Sequence, residues 1–178
     1  MKRLLLLFAF LIFSLHSFCQ TKKAFIDAAG LISGSSKKAV NYILITKLTD
    51  SSYQMKKYDM HDTIVMQGTY SDSLLKVANG KFTYYQKDKL DERLRDVVHI
   101  DENNYIKQVG YYSKGKKTGT WVEFEKRNWK SYSYTYENDK LNGTYLIYNQ
   151  HDNKLIDNEG NYINDKKNGD GKLTATIH

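Results

Sequence analysis

The sequence predicts an all-β protein, an elongated antiparallel meander of repeated β-hairpins. Three observations predict it. One is an internal repeat: residues 112–119 (YSKGKKTG), 136–143 (YENDKLNG) and 162–169 (YINDKKNG) write one pattern three times, with closing glycines 24 and 26 residues apart. Each copy reads as a tyrosine at a strand end, a Lys/Asn/Asp/Gly turn, and a glycine that restarts a strand. The second is composition, because fifteen tyrosines and no proline in 178 residues favour long β pairing with few breaks. The third is alternation: in the stretch 131–136, Tyr132, Tyr134 and Tyr136 share one face while Ser131, Ser133 and Thr135 share the other.

Taken in chain order, residues 1–19 read as a secretory signal peptide. Lys2 and Arg3 precede an apolar run from Leu4 to Leu15, and Ser17-Phe18-Cys19 places small residues at −3 and −1 of a cut before Gln20. The apolar run is short for a membrane span. The chain is therefore expected to be exported, periplasmic or secreted. Cys19 offers a second route, a lipoprotein lipidated at that residue, but His16-Ser17-Phe18 is a poor match to the Leu-x-small stretch that precedes lipidated cysteines. A cut before Gln20 removes the only cysteine, so the exported chain holds together without disulfides. It also removes two of the residues behind the formal charge of +7, leaving a mild excess suited to solubility rather than a polybasic tail.

Residues 20–38 are rich in small residues and end in a Gly-Ser-Ser turn signal, so they read as an N-terminal leader or short covering segment. One β-repeat domain is expected over 39–178. Its first strands are 42–45, 53–60 and 63–70, separated by turns at Asp50-Ser51-Ser52 and His61-Asp62. A strand at 82–85 follows. Residues 86–96 carry charge without β character and read as an insertion or short helix, and 97–100 is expected to pair with 105–112. The remaining strands are 121–125, 130–136, 145–149 and 155–162.

Two columns recur through these strands. Before each turn stands Gly-x-Tyr: Gly68/Tyr70, Gly110/Tyr112 and Gly160/Tyr162, with Tyr134/Tyr136 in the same slot. After it stands Gly-x-aromatic-x-x-aromatic: Gly80/Phe82/Tyr85, Gly119/Trp121/Phe124 and Gly143/Tyr145/Tyr148. Gly80, Gly119, Gly143 and Gly169 are expected to supply positive φ or close backbone approach at the hairpin corners. The aromatics should stack on rings of neighbouring strands, and residues two and five after the glycine should face opposite ways. One face is then packed, and the other carries a partly exposed aromatic ladder with Trp121, Tyr132, Tyr134 and Tyr145 as the candidate interaction surface.

This pattern resembles the MORN repeat family in its bacterial variant form, where Tyr-x-Asn-Gly-Lys-x-x-Gly-x-Trp-x-x-Tyr recurs. The segment 112–124 (YSKGKKTGTWVEF) is the copy most similar to that motif, 136–148 (YENDKLNGTYLIY) follows it, and 162–171 (YINDKKNGDG) is a truncated copy. A stretched copy runs from Gly68 to Tyr85, so the resemblance covers residues ~50–173. Asp139 and Asp165 depart from it by standing where the motif has glycine. The resemblance implies a stacked-hairpin scaffold for interaction or membrane proximity, and some bacterial relatives are antitoxin-like partners of toxins. It transfers no functional residue, because the matching positions are structural.

Other chemistries fit poorly. Residues 110–117 (GYYSKGKK) approach a phosphate-cradling loop but end on Lys117 in a strand-turn-strand setting. Residues 166–171 (KKNGDG) would place a lysine at the first ligand of a calcium loop. His61, His99, His151 and His178 lack metal-ligand spacing, and Asp91/Glu92 and Asp101/Glu102 are adjacent pairs in charged loops. No catalytic, metal or cofactor site is expected. Lysines 114, 116, 117, 140, 166 and 167 at the turns, set among tyrosines, suggest a single-stranded nucleic acid only superficially, and export argues against one. The expected function is a non-enzymatic envelope scaffold binding a protein partner, with attachment to an anionic membrane surface through those lysines, or antitoxin-like neutralisation, as alternatives.

Overall fold

The computed structural model describes residues 20–87, 104–152 and 154–173. Among them, twelve strands form a single antiparallel sheet: β1 Thr21–Asp27, β2 Ile32–Ser33, β3 Ala39–Thr49, β4 Ser52–Asp59, β5 Ile64–Tyr70, β6 Gly80–Lys87, β7 Asn104–Ser113, β8 Lys116–Glu125, β9 Trp129–Glu137, β10 Lys140–Tyr148, β11 Ile156–Ile163 and β12 Lys166–Leu173. From β3 to β12 the order in space is the order in sequence, which is the predicted meander. Twelve strands spaced by about 4.8 Å give a width of roughly 50 Å, well over the length of any one strand.

The N-terminal segment differs from its expected role. Thr21–Asp27 is no leader but strand β1, paired with β3 from Thr21↔Thr46 to Asp27↔Ala39, and the two-residue β2 closes that edge. The partners of β7 are β6 and β8. On the β6 side it pairs from Asn104 to Tyr112; residues 97–100, its expected partner, lie outside the described residues, like most of the 86–96 stretch.

Three hairpins turn on two residues of positive φ: Lys114/Gly115 (50° and 82°), Asn138/Asp139 (52° and 72°) and Asn164/Asp165 (48° and 66°). Such turns match the right-handed twist of the flanking strands, and asparagine and aspartate tolerate them through local hydrogen bonding. After each turn comes a register shift at the predicted corner glycine. Four steps of β8, Thr118 to Val122, run against two of β7, Tyr111 to Val109; the same shift recurs between β9 and β10 and between β11 and β12. Gly119 at φ +65° and Gly143 at φ +122° absorb two of these bulges, with Gly80 and Gly169 in the same left-handed range. Bulges bend the strand and increase local twist.

With no second layer among the described residues, most of the core lies on one face of the sheet, while Tyr42, buried and stacked on Tyr58, lies on the other. Ile43, Met55, Phe82, Trp121 and Tyr145 are buried on the first face and follow one another across neighbouring strands by alternation. The fifth residue after a corner glycine faces away, as expected: Tyr85 takes a 2.8 Å hydrogen bond from the Gln67 amide, and Gln67 alternates out of the face that holds Met66 and Gly68.

Candidate interaction surface

Ring contacts run along the core face in sequence. Tyr70, Phe82, Tyr112, Trp121 and Tyr136 meet edge to face in turn, with centroid distances of 5.3, 4.8, 5.1 and 6.2 Å. These separations fall in the favourable range for aromatic pairs. Beneath the rings lie the glycines of the pre-turn column. A Cβ on Gly68 would run into the Phe82 ring, and one on Gly110 into the Trp121 indole. Each post-turn aromatic thus lies flat over the glycine of its own hairpin, which removes the ring from water without a covering layer.

The third hairpin breaks this rule and repairs it. Tyr134 occupies the glycine slot opposite Tyr145, so Tyr145 leans the other way over Gly160 of β11, whose own hairpin places Gly171 in the aromatic slot. The Tyr145 hydroxyl donates to the Asn158 side-chain oxygen at 2.9 Å. Lysine ammonium groups cover the ladder from the turn side: Lys117 sits 4.3 Å from the Trp121 ring centre and Lys167 5.3 Å from that of Tyr145.

This geometry corrects the candidate surface. Trp121 is 1% exposed and Tyr145 5%, so neither is available to a partner; both are core residues, because the glycines under them let the rings lie down. Tyr132 and Tyr134 remain partly exposed, their rings 6.2 Å apart and nearly parallel. Gly80, Gly119, Gly143 and Gly169 hold the positive φ expected of them.

What the ladder leaves accessible is the next row of the same face. Register places Tyr84, Gln108, Glu123 and Tyr132 side by side on β6 to β9, continuing through Ile147 to Asn158, and all six are partly exposed. Gln108 Nε2 donates to Glu123 Oε1 at 3.1 Å, which holds the carboxylate in the row. Tyr84 and Tyr112 share a 3.3 Å hydroxyl contact, and burial followed by that bond pushes the Tyr84 phenol well above its ordinary value. Burial and then the Glu123 charge raise Tyr134 and Tyr136 as well, so these phenols stay protonated donors at neutral pH. Tyr84, Gln108 and Glu123 were missed in the sequence, although a signal existed: Tyr84, Glu123 and Ile147 stand four residues after Gly80, Gly119 and Gly143, and so share the face of the ring at position two.

Asp139 and Asp165 have a role that motif comparison hides. Asp139 Oδ1 accepts the Lys117 amide at 2.7 Å while the Asp139 amide donates back to the Lys117 carbonyl at 3.1 Å. Asp165 repeats this on Leu141, at 2.7 and 2.9 Å. At the Lys114-Gly115 turn the Gly115 amide donates to the Ala78 carbonyl, and the missing carboxylate is replaced by Asn79, whose Oδ1 accepts from the Lys114 amide at 3.3 Å. Each turn is clasped to the hairpin before it, so the row is held as one platform rather than as separate hairpins.

Comparison with family models, with curated proteins and with solved structures finds no match to this chain.

Proposed function

We propose that this chain is a non-enzymatic, exported β-repeat scaffold of the MORN-variant type that binds a protein partner in the cell envelope through the row Tyr84–Gln108–Glu123–Tyr132. The observation that carries the reading is this row: partly exposed tyrosines flank an amide and a single carboxylate on a face whose larger rings are already buried. Aromatic faces with a few placed polar groups are the chemistry of interface anchors. Glu123 calls for a lysine or arginine on the partner, and the clasped turns present the row preorganised, which limits the ordering cost of binding. The repeat and the signal-peptide pattern support scaffold and export. The test is capture of the partner from the native envelope, then binding of the purified pair. Tyr132→Ala and Glu123→Ala should each weaken it about tenfold or more, and unchanged binding in both sets the row aside.

One observation favours a second reading, attachment to an anionic membrane. Lys114, Lys116, Lys140 and Lys166 are exposed on turns clasped to neighbouring hairpins along one edge of the sheet, and Gln20 lies on that same edge because Thr21 pairs with Thr46 near the end of β3. Such binding to anionic vesicles weakens steeply with salt. Absence of vesicle binding at low ionic strength removes it.

A further inference from the structure

Asparagine is followed by glycine at Asn79-Gly80, Asn142-Gly143 and Asn168-Gly169, each time at a corner of the repeat. A glycine has no side chain to shield its backbone nitrogen, so that nitrogen can attack the side-chain amide of the asparagine before it. The attack needs a backbone N–H that no hydrogen bond holds, and an asparagine side chain free to turn. The sheet treats the three pairs differently. Lys117 and Leu141 turn their backbone groups outward, to Asp139 and Asp165 of the next hairpin. Two residues on, alternation turns the corner glycine the same way. Gly143 therefore faces β11, where it pairs with Tyr162, and Gly80 is likewise paired with Tyr112 of β7. Gly169 faces the corresponding side of β12, and no strand lies there among the described residues. The side chains repeat the contrast. Asn142 Nδ2 donates to Glu137 Oε2 and Asn79 Oδ1 accepts the Lys114 amide, whereas Asn168 is exposed and makes no such bond among the described residues. A Cβ on Gly169 would meet nothing within 4 Å, so the space for ring closure is open.

We propose that Asn168 is a site of self-modification, losing its amide to become aspartate or isoaspartate while Asn79 and Asn142 persist. The Gly169 backbone nitrogen gives its proton to solvent base and attacks Asn168 Cγ. A C–N bond forms, the Cγ–Nδ2 bond breaks, and Nδ2 departs as ammonia. Water then opens the resulting succinimide at either carbonyl. One opening restores the normal main chain with an aspartate; the other leaves the main chain running through the side chain, as isoaspartate. Both products place a new carboxylate at the open edge, in the same strand as Lys166 and Lys167. Isoaspartate also lengthens the main chain of β12 by one carbon, between the pairings Asn161↔Asn168 and Glu159↔Lys172, and so disturbs their register. The damage stays in the last strand, because β11 is held separately by its ladder to β10. With age β12 becomes a poorer template for the strand of another chain.

The test is incubation of the exported chain at mildly alkaline pH, folded and in urea, followed by peptide mapping with mass spectrometry that separates aspartate from isoaspartate. In the folded protein Asn168 should convert about tenfold or more faster than Asn79 and Asn142, because those two must first open the sheet locally. In urea the three rates should converge, since the neighbouring strands are gone. Hydrogen exchange of the aged protein should be faster in β12 beyond Gly169 and unchanged in β11, and Asn168→Gln should keep the exchange of fresh protein. Equal rates at the three sites in the folded protein would overturn the proposal. So would an Asn168 that keeps its amide while the chain in urea loses it, or converted protein whose β12 exchanges as before.

Discussion

Placing a methyl group under the Trp121 indole isolates the contact on which the single-layer core depends. Gly110 lies in β7 with Trp121 of β8 directly over it, and a Cβ there would overlap the indole ring. Gly110 has no positive φ, so alanine meets no backbone strain, and at a neutral site the exchange would stabilise by about 0.5–1 kcal/mol through the unfolded chain. Any loss therefore comes from the ring. Overpacking of this kind costs about 2–3 kcal/mol. Trp121→Ala alone should cost about 3–5 kcal/mol. In that background Gly110→Ala should become neutral or slightly stabilising, which makes the coupling between the two changes about 2–3 kcal/mol. Urea unfolding followed by far-ultraviolet circular dichroism measures all four corners of the cycle, and Gly68 with Phe82 provides a second cycle of the same geometry. Gly169→Ala is the control: it has φ +77° and open space around a would-be Cβ, so it should cost about 1–2 kcal/mol whether or not Trp121 is present. A Gly110→Ala penalty of equal size with and without the indole would refute the ring-over-glycine account.

Other expectations test the clasps and the charged groups. Asp139→Ala should lose about 1–2 kcal/mol, because the Lys117 amide loses its acceptor at a residue that stays in the left-handed region, whereas Asp139→Asn keeps both features and should fall within about 0.5 kcal/mol of wild type by thermal unfolding. Burial pushes the Asp59 carboxyl up, but the Lys87 ammonium at 2.8 Å and the Thr63 and His61 amides outweigh it and hold the group at about 2, below the 3.8 of an unperturbed aspartate. Its stabilisation is therefore present above pH 3.8 and lost as pH falls towards 2. After allowance for solvent screening this amounts to about 1 kcal/mol, and Asp59→Asn should flatten the acid limb of a stability-against-pH curve by that amount. Asp72, whose carboxylate accepts the Val77, Lys76 and Leu74 amides, is also held low, so its loop should loosen in the same direction on acidification, seen as faster amide exchange at those residues.

Much of the fold was legible because the repeat is local. The turns, the corner glycines and the strands from β3 to β11 follow from patterns a few residues long, which is the range over which hairpin chemistry acts; β12, Lys166–Leu173, was not among the expected strands. β1 escaped notice because 21–27 (TKKAFID) carries lysines at two positions and becomes a strand only by pairing with β3, some twenty residues on. Which aromatics are buried was not legible either. Alternation shows that Tyr132 and Tyr134 share a face, but the burial of Trp121 and Tyr145 depends on which glycine lies across the strand boundary, and that depends on two-residue register shifts. Asp139 and Asp165 looked like lapses from the motif for a related reason. Their partners, Lys117 and Leu141, lie one hairpin away, outside anything a single motif copy contains.

The most direct test of the proposed surface is site-specific photo-crosslinking in the native envelope, with a photoreactive residue at Tyr132 in the row or at Tyr111, which is 48% exposed on the opposite face. The account expects one protein to be captured from Tyr132 and not from Tyr111, and capture from Tyr132 to be lost when Glu123 is replaced by alanine. Equal capture from both faces, or capture from Tyr132 that ignores Glu123, would contradict it.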